Sequence, residues 1–162
     1  MNMNNLQTRV DQMERDIKVI KAALGIFDNA PIEPAKTSVV KSVQMEQAVT
    51  EILREIGVPA AVKGFRYLRE AIIIAINDMD VLDAVTKVLY PQVAKTFQTT
   101  PAIVERAIRH AIEVAHKRWD LDVKRKYFGN SIRTSTGRPT SSEFIAAVAD
   151  CIRMKGGNNA VD

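Results

Sequence analysis

Between Thr99 and Arg118 the chain reads TTPAIVERAIRHAIEVAHKR, and its apolar and charged residues separate onto opposite sides of one helix. Val104, Ala107, Ile108, Ala111, Ile112 and Ala115 recur at i, i+3, i+4, i+7, i+8 and i+11, which commits one face to burial. At about 100° per residue, Ala102, Glu105, Arg106, Arg109, His110, Glu113, His116 and Lys117 fall together on the other arc. A charged outer face is ordinary for a surface helix; the preceding residues give this one a context. Pro91 suits the first turn of a short helix carrying Val93, Ala94 and Phe97, after which come Gln98-Thr99-Thr100 and Pro101. Thr100 is the expected N-cap and Pro101 the first helical residue. The pattern is helix, tight turn, helix. It puts Glu105, Arg106 and Arg109 in the first turns of the second helix, the part that enters the major groove in helix-turn-helix proteins.

Charge follows the same segment. Lys87 to Arg138 holds eleven Lys or Arg against four Asp or Glu, although the whole chain is only +4, so the remainder is net negative. A basic stretch coinciding with a helix-turn-helix is the footprint of a phosphate-binding surface, and double-stranded DNA is the expected partner. Arginine can donate two bonds to guanine O6 and N7, and a carboxylate can accept from cytosine N4. Glu105 and Arg106 are therefore the candidate base readers, with Arg109 and His110 directed mainly to phosphates. Thr100 and Lys117, near the two ends of the helix, complete the candidate set on it.

The first 27 residues carry a different pattern. Met3, Leu6, Val10, Met13, Ile17, Ile20, Leu24 and Phe27 alternate spacings of three and four, a heptad register with Met3 at a and Leu6 at d. Arg9 and Asp16 then fall at g, Glu14 and Lys21 at e. In a parallel pair both g-to-e contacts join opposite charges. The expectation is a homo-oligomer, as a parallel dimer dimerised through Leu6, Val10, Met13, Ile17, Ile20 and Leu24. Val10 and Ile17 at a with Leu6 at d favour two strands, whereas Ile20 at d and Leu24 at a favour three or four. The competing reading is an amphipathic helix docked on its own domain.

Residues 28–43 contain Asn29, Pro31, Pro34, Thr37 and Ser38, lose periodicity, and read as a linker. Its roughly 16 residues would reach about 55 Å when extended. The domain is expected over 44–155, followed by a flexible tail, 156–162. Its helices are expected at Gln44–Ile56, with Gly57 as the C′ residue, at Lys63–Asn77, at Val81–Leu89 after the capping Asp78 and Asp80, and around Asp122–Phe128. A last helix is announced by the capping box Thr140-Ser141-Ser142-Glu143 and stopped by Gly156-Gly157. The fold class is all-α: about six helices around a helix-turn-helix, preceded by a coiled-coil helix.

Catalysis is not expected. The chain has no G-x-S-x-G, P-loop or HExxH pattern, and His110 and His116 lie six residues apart with no cysteine beside them to complete a metal site. No catalytic residue, metal or cofactor is assigned. The single cysteine, Cys151, shares a helical face with Phe144, Val148 and Ile152 and reads as a packing residue. No wholly apolar run is longer than Ala71 to Ile76, which is far short of the roughly 20 residues of a membrane span, and the N-terminus lacks signal-peptide character, so a cytoplasmic location and no membrane partner are expected.

Longer strings carry a resemblance. EIGVPA (55–60), YLREAI (67–72), TKVLYP (86–91), VERAIRHAIEVA (104–115) and SEFIAAVAD (142–150) make residues 51–148 similar to the C-terminal effector domain of stage zero sporulation protein A, a family of sporulation regulators. The resemblance implies an all-α, sequence-specific transcription factor recognising a box close to TGTCGAA. It carries DNA contact over to Glu105, Arg106, Arg109 and His110, and to Arg138 before Pro139. Where the family has Ser-Arg before Val-Glu-Arg, this chain has Ala102-Ile103, and one base-reading arginine is lost. The resemblance also implies an RNA polymerase sigma-factor contact in the segment that follows. The candidates here are Leu121, Arg125 and Phe128, in a stretch where Trp119 and Lys124-Arg125-Lys126 replace small and serine-rich residues. The 43 or so residues ahead of the domain are too few for the family's phosphorylated receiver, so the coiled coil is expected to provide association in its place. The alternative reading is an interaction protein that antagonises a full-length regulator by mixed dimerisation.

Overall fold

The computed structural model describes residues 3–23, 33–129 and 137–157. Every regular element among them is helical: α1 (Met3–Ala23), α2 (Glu33–Glu55), α3 (Lys63–Asn77), α4 (Tyr90–Thr96), α5 (Pro101–His116), α6 (Leu121–Phe128) and α7 (Ser141–Gly157), with a 3₁₀ segment at Met79–Ala84 and a π-helical turn at Val85–Leu89 between α3 and α4. The chain is all-α. It divides into two compact units, 1–40 and 41–162. No helix among the described residues is long and apolar enough to cross a membrane.

In the first unit the expected helix forms as α1. Leu6, Val10, Met13, Ile17 and Ile20 form an apolar stripe between 44% and 70% exposed. Leu24, the last residue of the expected seam, lies outside the described residues. Gln7 and Gln12 donate to Asp11 and Asp16 one turn on, at 3.5 and 3.2 Å, along the polar side.

The second unit is built around α3. Leu68, Ala71, Ile72 and Ala75 are fully buried, and α3 packs against α4, α5 and α7, which contribute Val93, Val104, Ile108, Ala111, Phe144, Ile145 and Val148 to the same core. Gly64 makes the crossing with α5 possible: a Cβ on it would stand 2.1 Å from the Ala107 carbonyl oxygen and 2.7 Å from Ala111 Cβ. The later half of α2 adds Val49, Ile52, Leu53 and Ile56.

Helix ends follow local chemistry where a signal was present. Gly57, at φ +87°, closes α2 in a Schellman arrangement, with its amide donating to Arg54 O and that of Val58 to Leu53 O, both at 2.9 Å. Asp120 caps α6 through Val123 N at 2.8 Å. The expected capping box forms at α7: Thr140 Oγ1 accepts from Glu143 N at 3.2 Å, and Glu143 Oε2 accepts from Thr140 N at 2.9 Å.

Three expectations are corrected. The linker expected over 28–43 is helical from Glu33, eleven residues ahead of the expected start at Gln44. Pro34 stands in the first turn, where its missing N–H forfeits no intrahelical bond and its fixed φ suits the helix, so it starts α2 rather than barring it. Those eleven residues rise about 16 Å as helix, instead of about 36–40 Å if extended. The helix expected at Val81–Leu89 is instead the 3₁₀ segment and π turn, separated by Ala84 at φ −135°, ψ 47°. Asp78 does cap there, accepting from Asp80 N at 3.0 Å, whereas Asp80 belongs to the first turn. Finally, α7 runs through Gly156 to Gly157 rather than stopping before them.

The turn between α4 and α5 is a second Schellman arrangement, with Thr99 N donating to Ala94 O at 2.9 Å and Gln98 N to Lys95 O at 3.3 Å. Its left-handed position is held by Gln98 at φ +51°, the one non-glycine residue with positive φ among those described. That conformation costs a side-chain-bearing residue about 1–2 kcal/mol, of which glycine would return part through its greater unfolded-state entropy. Gln98→Gly is expected to stabilise the domain by about 0.5–1 kcal/mol, seen as a higher urea midpoint with an unchanged slope. A lower midpoint would mean that the Gln98 side chain contributes more than its backbone conformation costs.

Candidate nucleic-acid interface

The residues singled out on α5 are placed by its two ends and by α3. Thr100 Oγ1 accepts from Ile103 N at 3.4 Å, and Pro101 opens the helix, both as expected. Phe97, in the turn, meets Tyr67 of α3 edge-on with ring centroids 5.0 Å apart, and Thr96 Oγ1 donates to Glu70 at 3.4 Å. These contacts fix the helix-turn-helix on α3. Val104, Ile108, Ala111, Ile112 and Ala115 then turn inward. Arg106, Arg109, His110 and Lys117 are left exposed on the opposite side, and Glu105 is half-buried beside them.

The outward charges are connected. Arg109 pairs with Glu105 one turn earlier; Glu113 takes Lys117 at 3.8 Å and Arg138 at 3.9 Å. A carboxylate offers about four lone-pair sites, so Glu105 can hold Arg109 through one oxygen and still accept from a further donor such as cytosine N4. Arg106 stands one position away from this pair with its side chain in solvent. Behind them Tyr90 is buried, and burial holds its phenol above its ordinary pKa.

Arg138 is brought to the same face by a contact that spacing alone did not reveal. The ring of His116 reaches the Gly137 carbonyl, Nε2 to O at 2.7 Å, and ties the residue before Arg138 to the last turn of α5. His116 therefore positions a cation rather than presenting its own ring outward. Arg109, Ile112, Arg138, Pro139, Thr140 and Ser141 line a cleft of about 270 Å³ between α5 and the start of α7. A larger cavity of about 690 Å³ lies elsewhere, with Met45, Ala48, Ile52, Ile76 and Ile152 among its lining, and none of the α5 residues enters it.

The segment after α5 divides. Leu121 and Arg125 are exposed, but Phe128, named with them as a sigma-factor candidate, is only 3% exposed and stacks on Trp119 at 4.7 Å and 20°. Phe128 is thereby removed from any contact surface. Trp119 is also a packing residue: its Nε1 donates to Ile56 O at 2.7 Å, and its ring meets that of His116 edge-on at 5.2 Å. Nearby, Glu55 accepts from both Lys126 and Tyr127. The two donors hold the Glu55 carboxyl below its usual range, and burial together with that bond pushes the Tyr127 phenol up to about 12. The bonds join α6 to the end of α2. Among the described residues no three His, Cys, Asp or Glu side chains converge as a metal site.

A short helix, a tight turn and a second helix with a buried stripe and a cationic outer face, all seated on a helical core, define a helix-turn-helix DNA-binding domain. The sequence model described as sporulation initiation factor Spo0A C terminal matches residues 49–152, most of the second unit. The chain belongs to that family of DNA-binding, sporulation-type regulatory domains.

Proposed function

We propose that this chain is a cytoplasmic, sequence-specific transcription regulator of the sporulation-initiation type. Two copies are joined by a parallel coiled coil of the first helix, without need of phosphorylation. The observation that carries the reading of DNA is the outer face of α5, where Arg106, Arg109 and His110 stand in solvent with Arg138 held beside them. Family membership supports it. Pairing is supported by the exposed stripe of Leu6, Val10, Met13, Ile17 and Ile20, whose register sets Arg9 against Glu14 of a second copy. Glu105 and Arg106 read adjacent bases, and Arg109, His110, Lys117 and Arg138 bind phosphates. Thr100 holds the helix start that faces the backbone. Leu121 and Arg125 are left as the surface for a sigma factor.

Fluorescence anisotropy of the full chain on a duplex with two TGTCGAA boxes and on a scrambled duplex tests this at near-physiological salt. A preference of about tenfold or more for the boxes, about 1.4 kcal/mol, is expected. Arg106→Ala should lower box binding by about 1–3 kcal/mol and scrambled binding much less, whereas Lys124→Ala should weaken both alike and reduce the salt dependence. Equal losses on both duplexes for Arg106→Ala would remove its base-reading role. Equal binding of both duplexes by the parent chain would favour the interaction-protein reading.

A further inference from the structure

Of the large apolar side chains on the reading helix, one is left exposed. Ile103, the third residue of α5, is 50% exposed, whereas Val104 and Ile108 are fully buried. At about 100° per residue it lies roughly 120° from the middle of the buried stripe, on the outer side with Arg106 and His110, its i+3 and i+7 neighbours. Its backbone is fixed there, since its amide donates to the capping Thr100 hydroxyl.

In water this placement gains little, because isoleucine is a weaker helix former than the alanine beside it and its methyl groups face solvent. Against a major groove the same features become useful. Residues of the first turns of a recognition helix reach base edges. The one apolar feature of those edges is the thymine C5-methyl, which apolar side chains recognise by contact. A β-branched side chain has one strongly preferred χ1 in a helix, so its surface is presented with little rotamer freedom to lose.

We propose that Ile103 reads the C5-methyl of a thymine next to the base contacted by Arg106; this rests on the DNA-reading function proposed above. The recognised group is the methyl, not the pairing edge. 5-Methylcytosine, which carries the same methyl, is therefore accepted at that position in preference to cytosine.

Selection of bound duplexes from a random library by the full chain supplies its preferred site, and each thymine of that site is then replaced singly by deoxyuridine, which lacks only the methyl. At one position the replacement should weaken binding about fourfold, the equivalent of one buried methylene at 298 K. Ile103→Ala should bind the thymine and deoxyuridine duplexes alike. A 5-methylcytosine duplex should bind the parent chain more tightly than its cytosine counterpart at that position, and Ile103→Ala should not distinguish them. If a site is enriched but no deoxyuridine replacement matters, or Ile103→Ala keeps the full effect, the methyl-reading role is overturned while DNA reading stands. If no sequence is enriched, the DNA-reading function falls, and this inference with it.

Discussion

Gly64→Ala is expected to destabilise the second unit by about 3 kcal/mol, the upper part of the range for an added methyl in a packed interior. The added Cβ would stand 2.1 Å from the Ala107 carbonyl oxygen and 2.8 Å from its carbon. These are backbone atoms in the middle of α5, so no side chain can rotate away to relieve the contact. One of the two helices must shift by about an ångström, and α3 is also packed against α7. Urea unfolding followed by circular dichroism should show the loss, while Arg66→Ala, on the exposed side of the same helix, should stay within about 0.5 kcal/mol of the parent. DNA affinity should fall with Gly64→Ala as well, because the displaced element is the reading helix. A stability change under about 0.5 kcal/mol would show that the helices separate at little cost, and the close crossing would lose its importance.

Aspartate at both Val10 and Ile17 is expected to abolish self-association and to lower affinity for a two-box duplex by about 10²-fold, with single-box binding unchanged. Both positions are a sites of the proposed seam, where a carboxylate would have to be buried against its own copy. The large effect on paired boxes follows from effective concentration: once one domain is bound, its linked copy meets the second box at a concentration on the order of millimolar. Sedimentation equilibrium and anisotropy on one-box and two-box duplexes separate the two consequences. A parent chain that sediments as a monomer, or a variant that retains two-box affinity, would end the coiled-coil proposal. A parent mass of three or four chains would keep the pairing and revise its number, as Ile20 at a d position allows.

What could be read from the sequence was what neighbouring residues decide among themselves. The Thr100 cap, the Thr140–Glu143 box, the Gly57 terminus and the buried stripe of α5 involve residues within a few positions of one another, and all four stand as expected. The early start of α2 is not legible in the sequence because prolines act as helix breakers except in a first turn, where Pro34 stands. The 3₁₀ and π turns of 79–89 depend on how that stretch meets α3 and α4, which periodicity does not encode. Placement in the candidate site was tertiary in the same sense. Gly64 is small because of a backbone some forty residues away, His116 positions Arg138 through Gly137, and Phe128 is buried because Trp119 covers it. The exposure of Ile103 did leave a trace, since by angle it lies outside the buried stripe.

The packing of Trp119 gives the molecule an optical property. It is the only tryptophan in the chain, it sits just past the last turn of α5, and its indole is bonded to the end of α2 while stacked on Phe128. Its emission therefore comes from one known place, and any displacement of α5 or loosening of α6 changes the indole's neighbours and its hydrogen bond. Movement of the reading helix can be followed by intrinsic fluorescence, in the unlabelled chain and with DNA present.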